Sequence, residues 1–234
     1  ALALLAKGFA DVKKAQEDAV TGAVDYISGT GGLESLGLAI LGTTNNITDL
    51  GVEIVKAVNS SGMIMDCSHT GRQSSLDIMR VSSKPVVFSH ANPKALGGHE
   101  RCIDDEQIKA CADTGGVIGI CGFQRFIKSP NAPEVPDMIR HIKYAVDLVG
   151  VDHVGIGLDT MPSVPGTNDF PDGVDKDHYW PATSGYGPNA GGAAVFDPRK
   201  LPALADALIA TGYSTDDVDK IMGENFIRVA KASW

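Results

Sequence analysis

Along the chain, short unbroken apolar runs alternate with longer stretches in which apolar residues recur at helical spacing. The unbroken runs cover residues 62–68, 85–90, 117–121 and 153–158, each short enough to be a strand. The helical spacing is clear over 48–59, where Leu50, Ile54, Val55 and Val58 share a face, and Gly62 follows as a stop. It returns over 72–82 and 104–113, where Asp104 with Gln107 three residues on reads as a capping box. It is strongest over 136–149, with Ile139, Ile142, Val146 and Val149 on one face and Gly150 as the stop. Two further helices are expected over 200–211 and 214–231. Before residue 48 the pattern suggests a helix over 10–20, a strand over 22–28 and an apolar run over 36–41.

Strand–helix units in series predict an α/β protein with a mostly parallel sheet. Three of the apolar runs end on chemically capable residues: His69, His90 and Asp159. In a (β/α) barrel the C-terminal strand ends converge on one mouth, where chemistry sits. The expectation is therefore a single TIM-like (β/α)-barrel domain over 1–234, of the metallo-dependent hydrolase type. Roughly six strands are countable, whereas a closed barrel has eight over about 250 residues. Together with the start at Ala1, this predicts a barrel incomplete at its N-terminus. Residues 160–198 are rich in Pro, Gly, Asp and Asn, with Tyr179, Trp180 and Tyr186 interspersed. A loop of that length is expected to act as a lid or substrate loop, and His178, Tyr179 and Trp180 are its candidate ligand contacts.

Composition narrows the partners. A net charge of −9 argues against nucleic acid, which calls for a basic face. It argues equally against an anionic membrane surface, and no apolar run approaches the ~20 residues of a membrane helix. The four cysteines, Cys67, Cys102, Cys111 and Cys121, form no C-x-x-C pair. Buried, reduced thiols are expected, which fits a cytoplasmic location.

His69 and His90, one strand–helix–strand unit apart, should sit on adjacent strands with both rings toward the mouth. Imidazole nitrogens suit Zn²⁺ and related metals. Asp159 at a third strand end is placed to take a proton, bind metal or orient a substrate amine. Asp66 reads equally as support for the metal ligands and as a partner for a neighbouring helix. Arg101, in the loop after His90, can pair a carboxylate through two N–H donors. His141, beside Arg140 and Lys143, is expected at the surface, and His153 is expected to be structural. No G-x-S-x-G, P-loop, H-E-x-x-H or intact dinucleotide fingerprint is present.

The stretches Gly62-Met-Ile-Met-Asp-Cys-Ser-His69, Pro85-Val-Val-Phe-Ser-His-Ala-Asn92 and Gly116-Val-Ile-Gly-Ile120 resemble the renal or membrane dipeptidase family of zinc metallopeptidases in its bacterial form. His153-Val-Gly-Ile-Gly-Leu-Asp159 and Gly223-Glu-Asn-Phe-Ile-Arg-Val229 extend the likeness. So do the separations from His69 to His90, from His90 to Arg101 and from His90 to Asp159. The resemblance implies a TIM-like barrel with two zinc ions at its mouth. It further implies that His69 and His90 ligate one zinc, that Asp159 handles the proton during attack by water, and that Arg101 holds the carboxylate of a dipeptide. The chain departs from the family in places. The first-strand His-x-Asp pair is absent, and residues 22–32 hold no bridging glutamate, with Asp25 and Glu34 nearby. Thr43 stands for a family His or Tyr, Cys102 for a family Asn, and Asp159-Thr-Met for the family's Asp-Phe-Asp or Asp-Tyr.

The leading expectation is zinc-dependent dipeptide hydrolysis, with one or two ions bound. The alternatives are a catalytically impaired relative that binds a small ligand, and a one-metal amide or lactone hydrolase. Unpaired strand edges in a short barrel predict a homodimer.

Overall fold

The computed structural model describes residues 47–160 and 194–234. The elements expected before residue 47, and the lid contacts His178, Tyr179 and Trp180, lie outside the described residues.

Four strands form one parallel sheet: β1 (Met65–Asp66), β2 (Val86–Ala91), β3 (Val117–Ile120) and β4 (Val154–Ile156). Their spatial order is their chain order. That progression, with helices between successive strands, is the order of a barrel wall and not of a doubly wound sheet, where the order reverses. Val86, Val87 and Phe88 in β2, and all four residues of β3, are buried, as expected for strands covered on both faces.

The helices begin where their caps allow. α1 (Asp49–Ser60) follows Thr48, whose Oγ1 accepts from the Gly51 N–H at 3.2 Å. α2 (Arg72–Val81) links β1 to β2, and α4 (Asp105–Asp113) opens on the expected box of Asp104 and Gln107. α6 (Val135–Val149) carries a second box, Glu134 with Asp137. Two one-turn helices were not legible in the sequence: α3 (Lys94–Gly97) after β2 and α5 (Gln124–Ile127) after β3. At four residues each they are too short to show a period.

After a short 3₁₀ turn, Pro198–Lys200, α7 (Leu201–Ala210) packs on the core. The last expected helix is divided. α8 (Thr215–Asp219) and α9 (Asn225–Ser233) flank a wide turn, Lys220–Glu224, in which Gly223 leaves helical geometry. The break serves Asn225. Its buried amide donates to the carbonyls of Val151 and Val154, at 2.8 and 2.9 Å, and pins the C-terminal helix to the start of β4. His153 donates its Nδ1 hydrogen to the Gly116 carbonyl at 2.9 Å, at the end of the sheet away from the mouth. No described helix is long and apolar enough to cross a membrane.

His141 corrects an expectation. It is fully buried, because the inward face of α6 is Met138, His141, Ile142 and Ala145. The charged neighbours Arg140 and Lys143 flank that face and do not mark it. Nε2–H of His141 donates to the Ile127 carbonyl at 3.0 Å, and Nδ1 accepts from Asn92 Nδ2 at 3.3 Å. Asn92 also donates to the Cys121 carbonyl at 3.1 Å. One neutral histidine thus ties together the segments that follow β2 and β3.

The sheet closes tightly around Ser89. The register between β2 and β3 slips between Phe88 and Ala91. There a Cβ on Gly119 or on Gly157 would fall inside the van der Waals shell of the Ser89 carbonyl oxygen. Only residues without a side chain let β2 come this close to β3 and to the end of β4.

Two tests follow. Gly157→Ala should destabilise the chain by about 3 kcal/mol in urea unfolding, since backbone must move to make room. Gly71→Ala, whose Cβ would meet nothing within 4 Å, should be close to neutral. Equal effects would refute the close approach. The second concerns pH. Burial, aided by the Arg140 charge, pushes His141 down to about 4 from an ordinary 6.5. Between those values the unfolded chain takes up a proton that the folded chain refuses, so stability falls as pH falls. The wild type should lose about 3 kcal/mol more than His141→Gln from pH 7 to pH 4. Parallel profiles would show that His141 titrates normally.

Candidate active site

β1 ends at Asp66, and the chain turns so that His69 adopts a left-handed conformation, φ 65°. His90 lies within β2. The close approach at Ser89 fixes where both strand ends stop. The rings of His69 and His90 then meet edge to face, with centroids 5.0 Å apart and Nε2 atoms 2.9 Å apart. The expected juxtaposition of these two residues is therefore present.

The side of His90 away from His69 is held by a relay. His90 Nδ1 lies 2.8 Å from Ser89 Oγ, which lies 2.6 Å from Asp66 Oδ2. A hydroxyl has one hydrogen, and the nearer, charged acceptor is the carboxylate. Ser89 therefore donates to Asp66 and accepts from His90 Nδ1–H. The network assigns His90 the Nδ1–H tautomer and leaves a lone pair on Nε2, facing His69. Asp66 also accepts from the N–H groups of Ser68 and Ser89, at 2.9 and 3.0 Å. Burial would raise its carboxyl, but these hydrogen bonds outweigh burial and hold it below the usual carboxylate range. Of the two roles open to Asp66, the structure shows the support of a neighbouring strand and of His90. Ser89 itself was overlooked in the sequence. Its signal was a hydroxyl interrupting the apolar run Val86-Val87-Phe88 immediately before a histidine.

His69 is held below the ordinary imidazole range, first by burial and then by the positive charge of Arg101. Asp159 acts on it in the opposite sense, so Asp159 and Arg101 both lie within electrostatic reach. Asp159 stands three residues beyond β4, also left-handed, at φ 59°. Arg101 comes from the segment between α3 and α4. Its guanidinium carbon sits 5.5 Å from the centre of the Phe126 ring, and its buried Nε has no hydrogen-bond partner among the described residues. His69 and Arg101 line one hollow of about 180 Å³, together with Ser68, Thr70, Arg72 and Glu100. A larger hollow of about 620 Å³ lies outside it and shares none of its lining. Of the expected site residues, His69 and Arg101 line the smaller hollow, while His90 and Asp159 are in the lining of neither.

With His90 Nδ1–H committed to Ser89, the lone pair of His90 Nε2 accepts from His69 Nε2–H; in the other tautomer of His69 both Nε2 nitrogens would be free for a divalent metal. At a Zn–N distance of 2.0–2.1 Å, tetrahedral ligands stand about 3.3 Å apart, close to what His69 and His90 show. Among the described residues no group of three His, Cys, Asp or Glu side chains joins them. The cysteines do not compete. All four are free and buried, and burial pushes the thiols of Cys67 and Cys121 up to about 12. At neutral pH they are poor nucleophiles and poor ligands. Cys102 Sγ faces the Phe126 carbonyl at 3.7 Å.

The lid contacts fall outside the described residues, but the segment's return is visible. Val195 bridges Phe123, and the Gln124 N–H donates to the Ala194 carbonyl at 2.9 Å. Residues 160–198 thus begin at Asp159 and come back beside α5, both at the mouth.

Comparisons with known proteins bear on the family and the fold. An uncharacterised protein in the pqqA 5′ region of Klebsiella pneumoniae is 27% identical over 265 residues, covering 96% of this chain and 87% of that protein. The dipeptidase tcpJ of Claviceps purpurea is 29% identical over 191 residues, covering 80% of this chain but 38% of its own length. The crystal structure of an amidohydrolase from Pseudomonas aeruginosa superposes with a TM-score of 0.65 at 31% identity. That match covers 81% of this chain and 58% of the other, so the chain spans little more than half of that structure. The four-stranded wall is accordingly part of a TIM-type barrel of the metallo-dependent hydrolases. The family model for membrane dipeptidase (peptidase family M19) matches residues 41–177, a span containing His69, His90, Arg101 and Asp159. With more than half of its length matched, the chain belongs to the membrane dipeptidase family, peptidase family M19.

Proposed function

We propose that this chain carries the catalytic mouth of a zinc-dependent dipeptidase. The observation that carries the reading is the His69–His90 pair, whose Nε2 atoms stand 2.9 Å apart with the His90 tautomer fixed by Ser89 and Asp66. The dipeptidase named among the relatives supports the substrate class.

His69 and His90 would hold the ion. A bound zinc ion would supply Lewis-acid polarisation of the scissile carbonyl and a lowered pKa for the attacking water. Arg101 would bind the substrate's terminal carboxylate, since its planar fork donates to two oxygens at once and its Nε has no hydrogen-bond partner among the described residues. Phe126 beneath the guanidinium keeps it flat and in place. Asp159 would take the proton from water as the new C–O bond forms. It would then return that proton to the leaving amine as the C–N bond breaks. Asp159 itself has a left-handed backbone, φ 59°, three residues beyond β4.

The test is zinc content on protein purified without chelator, alongside dipeptide hydrolysis. We expect at least one zinc per chain, lost in His69→Ala/His90→Ala together with activity. Zinc retained in full by that variant would place the metal elsewhere and sink the assignment.

The relay makes a separate prediction. Ser89→Ala removes the acceptor for His90 Nδ1–H and should weaken zinc binding by about 10- to 100-fold in a chelator competition, without unfolding the chain. Ser89→Thr, which keeps the hydroxyl, should restore most of it. Unchanged affinity in Ser89→Ala would mean that His90 needs no such support.

A further inference from the structure

The larger hollow, about 620 Å³, lies on the mouth side of the sheet, between the segments that follow β2 and β3. Its walls include Gly97, Gly98, His99, Arg125, Lys128 and Ser129. The chain carries a net charge of −9, yet among the described residues no carboxylate lines this space. The nearest acidic residues in sequence are engaged elsewhere: Glu100 pairs with Lys94 at 3.5 Å and Glu134 with Lys200 at 2.6 Å. Most described cations are likewise paired, as Arg72 is with Asp104 and Lys143 with Asp147. Arg125 and Lys128 take part in no ion pair among the described residues, and Arg125 Nε is buried with no hydrogen-bond partner there. Lys128 is also held in a left-handed conformation, φ 54°, capping α5. Glycine is the usual residue at such a cap, and a lysine there costs about 1 kcal/mol of backbone strain. Two cations with no ion pair among the described residues, one with an orphaned donor and one strained, line the same recess.

We propose that this recess is a subsite for an anionic group, a carboxylate or a phosphate, gripped by Arg125 and Lys128. Phe126 separates it from Arg101: the ring carries the Arg101 guanidinium at 5.5 Å and the His99 ring at 4.9 Å. One aromatic residue thus touches both Arg101 and a residue in the wall of the recess, His99. The favoured occupant is the acidic side chain of a peptide whose terminal carboxylate is held by Arg101. That choice of molecule rests on the proposed function, whereas the anion subsite itself does not. Free phosphate is the other source of the same chemistry.

The test is calorimetric titration of the full chain, at low ionic strength, with inorganic phosphate and with glutarate. The expected result is millimolar binding of at least one of them, weakened about 10-fold or more in Arg125→Gln/Lys128→Gln. Lys143→Gln, a distant change of equal charge, should leave it intact, and so should Arg101→Gln. Absence of binding by both probes would overturn the subsite. So would binding that survives the double variant, or that is lost only in Arg101→Gln, since the anion would then belong to Arg101. Hydrolysis assays separate the sources. A KM raised about 10-fold in the double variant for a dipeptide with a Glu side chain, but not for Ala-Ala, identifies a substrate carboxylate. An unchanged KM for both, with phosphate binding still lost, overturns the peptide as occupant and leaves free phosphate. Failure of the dipeptidase reading would appear as no turnover of either peptide, with the calorimetry still able to decide the subsite.

Discussion

The architecture of the mouth depends on Ser89. Its carbonyl oxygen sits where β2, β3 and the end of β4 approach most closely, a contact that Gly119 and Gly157 permit. Its hydroxyl, one side chain away, joins Asp66 on β1 to His90 on β2. Backbone packing and side-chain chemistry are thereby coupled at one residue. The position of β2 against its neighbours sets where the hydroxyl stands, and the hydroxyl sets which nitrogen of His90 is free. Zinc ligation of this kind depends on the partner of the other ring nitrogen almost as much as on the ligand itself. A barrel in which those glycines carried side chains would shift the relay along with the strand.

Much of this was legible in the sequence because it rests on local rules. The capping box at Asp104 and the stop at Gly150 placed their helices within a residue or two. The continuous apolar runs placed β2, β3 and β4, and the convergence of strand ends brought His69 and His90 together. What was not legible depended on tertiary context. The run at 62–68 yields only a two-residue strand, because the chain leaves the sheet at Asp66 to make the turn that presents His69. His141 was misplaced because its charged sequence neighbours lie on the flanks of α6, and burial is set by Met138, Ile142 and Ala145. The division at Gly223 exists so that Asn225 can satisfy two carbonyls of a distant segment, a demand invisible along the helix itself. Strand alternation could not decide the role of Asp66, since the strand ends there. Its partners on β2 decided it.

The polar groups near the mouth fall into two kinds with opposite electrostatic logic. His141, with Asn92, is buried in a site that penalises charge, and it remains a neutral brace between loops. Asp66 is surrounded by donors, and it remains an ionised acceptor. Both settings keep proton affinity away from neutrality, so neither group changes state near pH 7. That leaves the proposed reactive positions, His90 and Asp159, beside groups of fixed charge.

Backbone strain gives an independent view of the same surface. Among the described residues, every positive-φ position is a glycine except His69, Lys128 and Asp159. If only the turn mattered at those three places, glycine would relieve about 1 kcal/mol of strain at each. His and Asp tolerate the left-handed region better than most residues, but lysine has no such excuse. The three exceptions do not scatter over the fold. His69 and Asp159 are residues of the proposed hydrolytic site, and Lys128 lines the same recess as Arg125. Strain retained against an available glycine, at positions that follow β1, β4 and α5, is what a surface shaped around a ligand would keep.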